Sequence, residues 1–526
     1  MLYQVEMRSM KENIYLVAID AGTTGERTMI FDEKGRVVAW KYLEHPSYFL
    51  KPTWVEQEAA EWWDRICKTS RAVLKEAADK GITPDMIVGI SVANQRETIV
   101  PIDKEVEPLR RAIVWQDRRT ISQCNWIKSN IGEDMVYNIT GLTVDPYFSA
   151  PKIMWIKEQQ PDIYKKTHKF LLVHDYIIAK LADIFITGWD NASRTMLFDI
   201  RKFDWSENLL DFIGIDEEKM AEPHPSGKIV GEVTKKAAEE TGFAEGTPVV
   251  CGGGDQQCGA IGVGVVRQGR IKATTGTGTF ILSFLDKPCF DPKRRVLCSC
   301  HGIPRKWVQE ASIFSTGTIY RWFRDEFGHL EKVAGELVGT DPYEMLNKEA
   351  SSTPAGSKGV LVTPHFTGAG APHWNPYARG VIVGLAIGHT RKDVVRAILE
   401  GIALEIRKNI EVMRELGIQV EEMRVTGGAT RNPHFNQIQA DVYGLPVLRG
   451  KVEESTALGC AILAGVGTGV FKSIEEATDK MVHIVERYEP RLENKTIYDR
   501  MFKIHGKIYD ALDKAGVYKD LAELGM

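Results

Sequence analysis

The chain has 526 residues, of which 43% are hydrophobic, 26% charged and 9% aromatic, and it carries a net charge of −4. That length exceeds what one hydrophobic core supports, so two large domains are expected. Charges of both signs are scattered, no basic stripe marks a nucleic-acid face, and no apolar run reaches the length of a membrane span, so neither nucleic acid nor membrane insertion is expected. Residues 1–13 are polar and read as an arm without the apolar core of a secretory signal.

Short apolar runs at 15–19, 28–31 and 37–42, joined by turns at 21–26 and 33–35, predict an antiparallel meander. A stretch over 57–78, with Trp62, Ile66, Ala72 and Leu74 on one face, predicts a long amphipathic helix. Buried strands are expected at 86–92 and 112–115. The pattern then returns. A strand at 248–251 ends in Gly252 to Gly254, and a strand at 270–274 leads into Gly276-Thr-Gly-Thr. Strands at 280–285, 296–300 and 306–309 precede a helix over 313–326. The chain therefore holds two copies of a strand, Gly-Thr turn, strand, strand, helix unit, a repeat at domain scale. Helices over 392–416, 433–443 and 456–463 alternate with strands at 422–426 and 446–448, and the tail after Glu475 reads as helical and charged. Such alternation argues for an α/β fold. Gly259, Gly262, Gly264 and Gly269 crowd around 260–268 and read as a boundary, with a hinge or simple turns.

Eight cysteines, mostly in apolar runs, read as reduced thiols in a cytoplasm. Cys298, Cys300 and His301 lack a second ligand pair, and a strand alternating in burial accounts for them better than a metal. Asn191-Ala-Ser carries no weight as a glycosylation acceptor without a secretory route. Trp62-Trp63 reads as packing.

A triphosphate needs backbone N–H groups, small residues, hydroxyls and a cation. Asp20-Ala-Gly-Thr-Thr-Gly-Glu-Arg supplies them after a strand: Thr23, Thr24, Gly25 and Arg27 for phosphate, and Asp20 for a magnesium ion held through water. Gly276 and Thr277 repeat the chemistry in the second half. No P-loop sequence is present.

These two turns resemble the phosphate motifs of the sugar-kinase, actin and heat-shock ATPase superfamily. Tyr147-Phe-Ser-Ala-Pro-Lys-Ile-Met-Trp-Ile-Lys-Glu-Gln, and Gly380-Val-Ile-Val-Gly-Leu followed after seven residues by Asp393-Val-Val-Arg-Ala-Ile-Leu-Glu, resemble the signatures of the FGGY carbohydrate kinases. The resemblance runs from about Tyr15 to Tyr488. It implies an α/β fold of two ribonuclease H-like domains flanking a catalytic cleft. The domains are expected at 14–262 and 263–490, with a helical tail at 491–526. It further implies ATP and Mg2+ as cofactors, a cytoplasmic enzyme, and a homo-oligomer, dimer or tetramer.

Asn94-Gln-Arg-Glu-Thr, Ala112-Ile-Val-Trp-Gln, Asp145-Pro-Tyr-Phe-Ser, Asn191-Ala-Ser-Arg-Thr-Met-Leu-Phe and Gly254-Asp-Gln-Gln resemble the segments of family members that phosphorylate glycerol. By that resemblance Arg96, Glu97, Tyr147, Asp255 and Gln256 hold the triol, Trp115 and Phe280 line its carbon edge, and Asp255 is the base. Gly317, Arg321, Gly428 and Asn432 take the adenosine end. The physics agrees, since a polyol offers hydroxyls on one side and C–H on the other. The chain departs from the usual pattern at Ala21, Gly25-Glu26, Arg321 and Thr426, and has no counterpart of the loop that binds a sugar bisphosphate inhibitor. Glu26 beside a polyanion is unfavourable unless it points away. Another polyol or a ketose, such as erythritol or xylulose, and a non-catalytic actin-like protein are the competing readings.

Overall fold

The computed structural model describes residues 14–524, so the polar arm at 1–13 lies outside the described residues. By contacts the chain divides into two compact units. The first holds residues up to Val266, then Phe284–Val308 and Glu454–His483. The second holds Arg267–Ser283, Gln309–Glu453 and the chain from Ile484 onward. The chain thus returns to the first unit late, with the helix that follows Glu454.

The first unit is built on β1 (Tyr15–Ala21), β2 (Gly25–Asp32), β3 (Val37–Glu44), β4 (Ile87–Asn94), β5 (Ile229–Glu232) and β6 (Pro248–Gly254), in the order β5-β6-β4-β1-β2-β3. The expected meander is there: β1, β2 and β3 are antiparallel neighbours, while β4 runs parallel to both β1 and β6. Residues 16–19 of β1 are fully buried, which is why the run reads as continuous rather than alternating. Helix α1 (Ala59–Ala78) turns Trp62, Ile66 and Val73 into the core. A smaller sheet sets Trp54–Gln57, Ala112–Ile113, Ile99–Ile102 and Lys169–Leu172 side by side. Helix α2 (Ser149–Gln159) follows the 145–148 loop, and α3 (Asp255–Gly262) starts directly at the end of β6. Strand β6 outruns the expected 248–251 because its glycines allow close pairing, a Cβ at Gly252 lying only 1.9 Å from the Val92 carbonyl oxygen.

The second unit repeats the scheme with β7 (Gly269–Thr275), β8 (Thr279–Leu285), β9 (Trp307–Ile313), α4 (Gly317–Phe327), α5 (Arg391–Glu415), β10 (Val420–Thr426), α6 (Pro433–Tyr443) and β11 (Val447–Gly450). Helix α7 (Ser455–Gly467) belongs to the first unit, and β12 (Ile484–Tyr488) and α8 (Leu492–Lys514) to the second. The neighbours run β9-β8-β7-β10-β11-β12, so β9-β8-β7-β10-β11 repeats the order β3-β2-β1-β4-β6.

Four expectations change. The helix expected from 313 begins at Gly317, because β9 extends to Ile313. The tail after Glu475 is not helical throughout: β-branched Ile484 and Val485 start β12, which pairs antiparallel with β11. The strand Leu297–Cys300 is buried at every position rather than alternating. Gly262 lies in a helix rather than a hinge, where a Cβ would fall 1.8 Å from the Ser455 carbonyl oxygen, and Gly459 faces the Cys258 carbonyl oxygen at the same 1.8 Å. There α3 and α7 touch backbone to backbone, which larger residues forbid. Helix α7 also packs on β1, β4 and β6.

Helix α8 is part of the second unit's core: the Tyr498 hydroxyl donates to Glu400 Oε1 at 2.8 Å and accepts from Arg396 Nη2 at 3.0 Å. The eight cysteines are free, and Asn191 is buried. Among the described residues no helix is long and apolar enough to cross a membrane.

Candidate active site

The turn between β1 and β2 closes with Gly22 N donating to Gly25 O at 3.0 Å. A Cβ on Gly25 would lie 2.4 Å from the Leu43 carbonyl oxygen, so glycine is needed where β2 leaves the turn. Side chains grip the turn from the protein side. Gln57 Nε2 donates to Thr23 O at 2.8 Å, and Gln95 Nε2 donates to Gly22 O at 3.3 Å and to Gln57 Oε1 at 2.8 Å. Trp115 Nε1 donates to Thr23 Oγ1 at 3.0 Å. Thr24 is exposed, and its hydroxyl bonds that of Tyr42 at 3.0 Å.

Asp20 Oδ2 lies 3.6 Å from Arg27 Nη1, and Arg27 Nη2 lies 3.9 Å from Glu454 Oε1. Burial raises the Asp20 carboxyl to about 6; Arg27 opposes the shift, while the charges of Asp255 and Glu454 add to it. Glu26 is fully buried, with Oε1 3.3 Å from His45 Nε2. Burial raises Glu26 to about 7, against the pull of His45. The residue that sequence reasoning feared beside a polyanion is packed against a histidine instead.

The residues expected to hold the acceptor sit on the same unit. Glu97 has φ 62°, and Thr98 N donates to Arg96 O at 2.8 Å, which makes Glu97 the centre of a strained γ-turn. Its Oε1 accepts from Arg194 Nε at 2.6 Å and lies 3.9 Å from Arg96 Nε. Arg96 Nε is also 3.4 Å from Asp255 Oδ1. The Arg194 guanidinium stands 5.5 Å from the Tyr147 ring centre, and Tyr147 meets Trp115 edge to face at 5.6 Å.

Asp255 owes its place to the end of β6. Gly252 N donates to His174 Nε2 at 3.2 Å, and Gly254 N donates to Asp190 Oδ2 at 2.7 Å. A Cβ at Gly253 would lie 2.2 Å from Asp190 Oδ2, so the buried carboxylate sits directly behind the glycines. Burial raises Asp190 to about 6. Asp255 is the first residue of α3; its Oδ1 accepts from Gln256 N and its Oδ2 from Gln256 Nε2, both at 2.8 Å. Its side chain keeps 33% exposure. Gln256 therefore orients Asp255.

The first unit thus brings Asp20, Thr23, Thr24, Gly25, Arg27, Arg96, Glu97, Trp115, Tyr147, Asp255 and Gln256 into one chain of contacts. The second unit gathers its own group. Gly276 N donates to Gly278 O at 2.9 Å, Gly317 N to Gly276 O at 3.1 Å, and Thr318 N to Thr277 O at 3.2 Å. A Cβ at Gly317 would lie 2.1 Å from Gly276 O, and one at Gly427 2.5 Å from Thr275 O. The Thr277 turn, the start of α4 and the Gly427-Gly428 turn therefore meet. Phe280 is half-buried on β8, next to that turn. Arg321 is exposed on α4. Asn432 is chiefly a cap: its Oδ1 accepts from His434 N and Phe435 N, and its Nδ2 donates to Asn347 Oδ1 at 2.7 Å.

Sequence reasoning missed Gln57, Gln95, His174, Asp190 and Arg194 as supports. Gln95 and Arg194 lay inside the quoted motifs, whereas no local signal marked the others. For magnesium, no group of three or more His, Cys, Asp or Glu among the described residues forms a ready cage. Asp20, with the charges of Asp255 and Glu454 nearby, fits a cation that keeps most of its waters and takes one or two carboxylates plus phosphate oxygens.

The family models for the FGGY family of carbohydrate kinases match the chain, the N-terminal domain over residues 15–262 and the C-terminal domain over 271–468. Glycerol kinase 2 of Thermotoga maritima is 36% identical over 492 residues, 91% of this chain and 95% of that protein. The crystal structure of xylulose kinase from Rhodospirillum rubrum superposes with a TM-score of 0.86 at 24% identity, covering 95% of this chain and 99% of that one. Plasmodium falciparum glycerol kinase with ADP gives a TM-score of 0.85 at 25% identity, covering 95% and 98%.

Proposed function

The chain belongs to the FGGY family of carbohydrate kinases, and from that membership we propose that it transfers the γ-phosphate of ATP to glycerol, giving glycerol 3-phosphate. It is a phosphotransferase with an alcohol group as acceptor. The observation that carries the glycerol reading is the acceptor constellation: Arg194, Glu97, Arg96 and Asp255 joined in a chain of charged contacts, beside the edge-to-face pair of Trp115 and Tyr147. A short triol needs charged partners for its hydroxyls and aromatic faces for its carbons. The relatives named glycerol kinase support the same substrate.

In this reading Asp255 accepts the proton of the attacking hydroxyl, and Gln256 and Arg96 fix the carboxylate's direction. Glu97 and Arg96 hold the remaining hydroxyls. Thr23, Thr24 and Arg27 meet the charge that develops on the transferred group, and Gly25 keeps their turn tight. Asp20 would hold Mg2+ through water, and the ion would neutralise phosphate oxygens. On the second unit Gly276, Thr277 and Gly317 form a phosphate-binding turn, and Arg321, Gly428 and Asn432 take the adenosine end. We assign polyol binding and the first phosphate loop to 14–262, the second phosphate loop and adenosine binding to 263–490 and a helical tail to 491–526, in a cytoplasmic homo-oligomer, dimer or tetramer.

ADP release from ATP and magnesium is measured with glycerol, erythritol, xylitol, D-xylulose, L-ribulose and gluconate. Stimulation by glycerol above all others supports the assignment. Preference for a four- or five-carbon compound moves the substrate, and silence across the panel overturns the proposal.

A further inference from the structure

Lys152 is a fully buried lysine in the first turn of α2, beside the acceptor residues. Its ammonium donates to three main-chain carbonyls: Tyr147 O at 2.5 Å, Phe148 O at 2.9 Å and Glu97 O at 3.4 Å. The position is costly. A charge taken out of water loses its hydration, and a cation at a helix N-terminus opposes the helix dipole. Burial pulls the pKa of Lys152 down to about 7; Glu97 and Asp117 oppose that shift, and Arg118 adds to it, with Cys124 also facing the amine. Helix stability gives no reason for a lysine here.

What the ammonium joins does. Glu97 O belongs to the γ-turn residue at φ 62°, and Tyr147 O and Phe148 O belong to the loop entering α2. A strained γ-turn persists only when its surroundings over-determine it. Two donors converge on the Glu97 carbonyl, Lys152 Nζ and, at 3.1 Å, Ser149 Oγ, both from α2. The turn aims the Glu97 side chain at Arg194, and Arg194 in turn lies over Tyr147.

We propose that Lys152 is a positioning residue of the acceptor site, fastening the Glu97 turn to the Tyr147–Phe148 loop and so setting where Glu97 and Tyr147 meet the substrate. This rests on reading the first unit's constellation as the polyol site. Lys152 touches no reacting atom; it acts through the two segments it joins.

The test compares wild type with K152M, K152Q and S149A. The readouts are kcat, the acceptor KM, the ATP KM, and hydrogen exchange of the amides at 95–98 and 147–150. K152M removes every donor and K152Q keeps an amide. Expected is an acceptor KM raised about tenfold or more in K152M and less in K152Q, an ATP KM within about twofold of wild type, and faster exchange confined to the two segments. An acceptor KM within about twofold of wild type in folded K152M overturns the proposal. So does an equal rise of both KM values, which is what general loosening gives. If K152M does not fold, S149A decides: it loses one hydroxyl on the same carbonyl and should raise the acceptor KM about threefold, and an unchanged KM overturns the fastening. If wild type transfers to no acceptor, the functional reading has failed by itself. The exchange rates then judge Lys152 alone, and unchanged exchange in K152M overturns the proposal.

Discussion

Replacing Gly262 by alanine sets a Cβ 1.8 Å from the Ser455 carbonyl oxygen, where α3 crosses α7. Ordinary non-bonded contact lies near 3.5 Å, so the helices must part by roughly 1.5 Å at that point. Overpacking of this kind costs about 1–3 kcal/mol, or a Tm lower by about 1–5 °C for a unit of this size. The same movement reaches Asp255, which begins α3 and whose carbonyl accepts from Thr456 Oγ1 on α7 at 3.1 Å. A displacement near 1 Å at a reacting group costs on the order of a hundredfold in rate. Thermal melting and glycerol-dependent ADP release on G262A should therefore show both losses, and G459A, meeting Cys258 O from the opposite helix, should repeat them. Wild-type melting and turnover in G262A would refute the packing argument. A lowered Tm with unchanged turnover would show that this crossing does not place Asp255.

Asp255→Asn should lower transfer by at least about a hundredfold while ATP binding, measured by calorimetry, stays within about twofold. Trp115→Phe keeps the ring but removes the donor to Thr23 Oγ1, so kcat/KM for ATP should fall about two- to tenfold, read from steady-state rates with ATP varied. Glu26 binds a proton more tightly in the folded chain, at about 7 against an ordinary 4.5, so the folded state holds more protons there between those values and the Glu26 contribution to stability falls as pH rises through them. Asp20 and Asp190, both raised to about 6, act with the same sign. The His45 pKa is also raised, with burial opposing and the Glu26 partner supporting the shift, so its contribution likewise fades as pH rises. Burial lowers His373, His434 and His505, which act with the opposite sign over the same range, so the Glu26 contribution is read as a difference: between about pH 5 and about pH 8 the Tm of wild type should fall relative to that of E26Q, and parallel curves would refute the assignment to Glu26.

What was legible in the sequence was local. The meander showed because β1 and β2 are separated by a turn that needs Gly22 and Gly25, and its copy showed because Thr275 to Thr279 repeats the device. Strand β12 did not show, since its Ile484 and Val485 sit among charges and become a strand only by pairing with β11. The glycines near 262 were misread because a helix crossing and a hinge ask for the same small residue, and the partner that distinguishes them, Gly459, lies far along the chain. The supports of the site were hidden for a similar reason. Gln57 reaches Thr23, Arg194 reaches Glu97, and His174 and Asp190 reach the β6 glycines, each from a separate segment. Such pairings are created by the fold and leave no spacing to read.

The late return of the chain to the first unit imposes an order on synthesis. Strands β1, β4 and β6 leave the ribosome well before α7, the helix that packs on all three. Between Gly262 and its partner Gly459 lie about 200 residues, some 10–40 s of translation at ordinary rates. For that interval the nascent first sheet carries an uncovered apolar strip, and α3 rests on β4 and β6 without α7, its most extensive neighbour. A fragment ended at residue 262 would keep that condition permanently, so the N-terminal half is a region of sequence rather than an independently folding body.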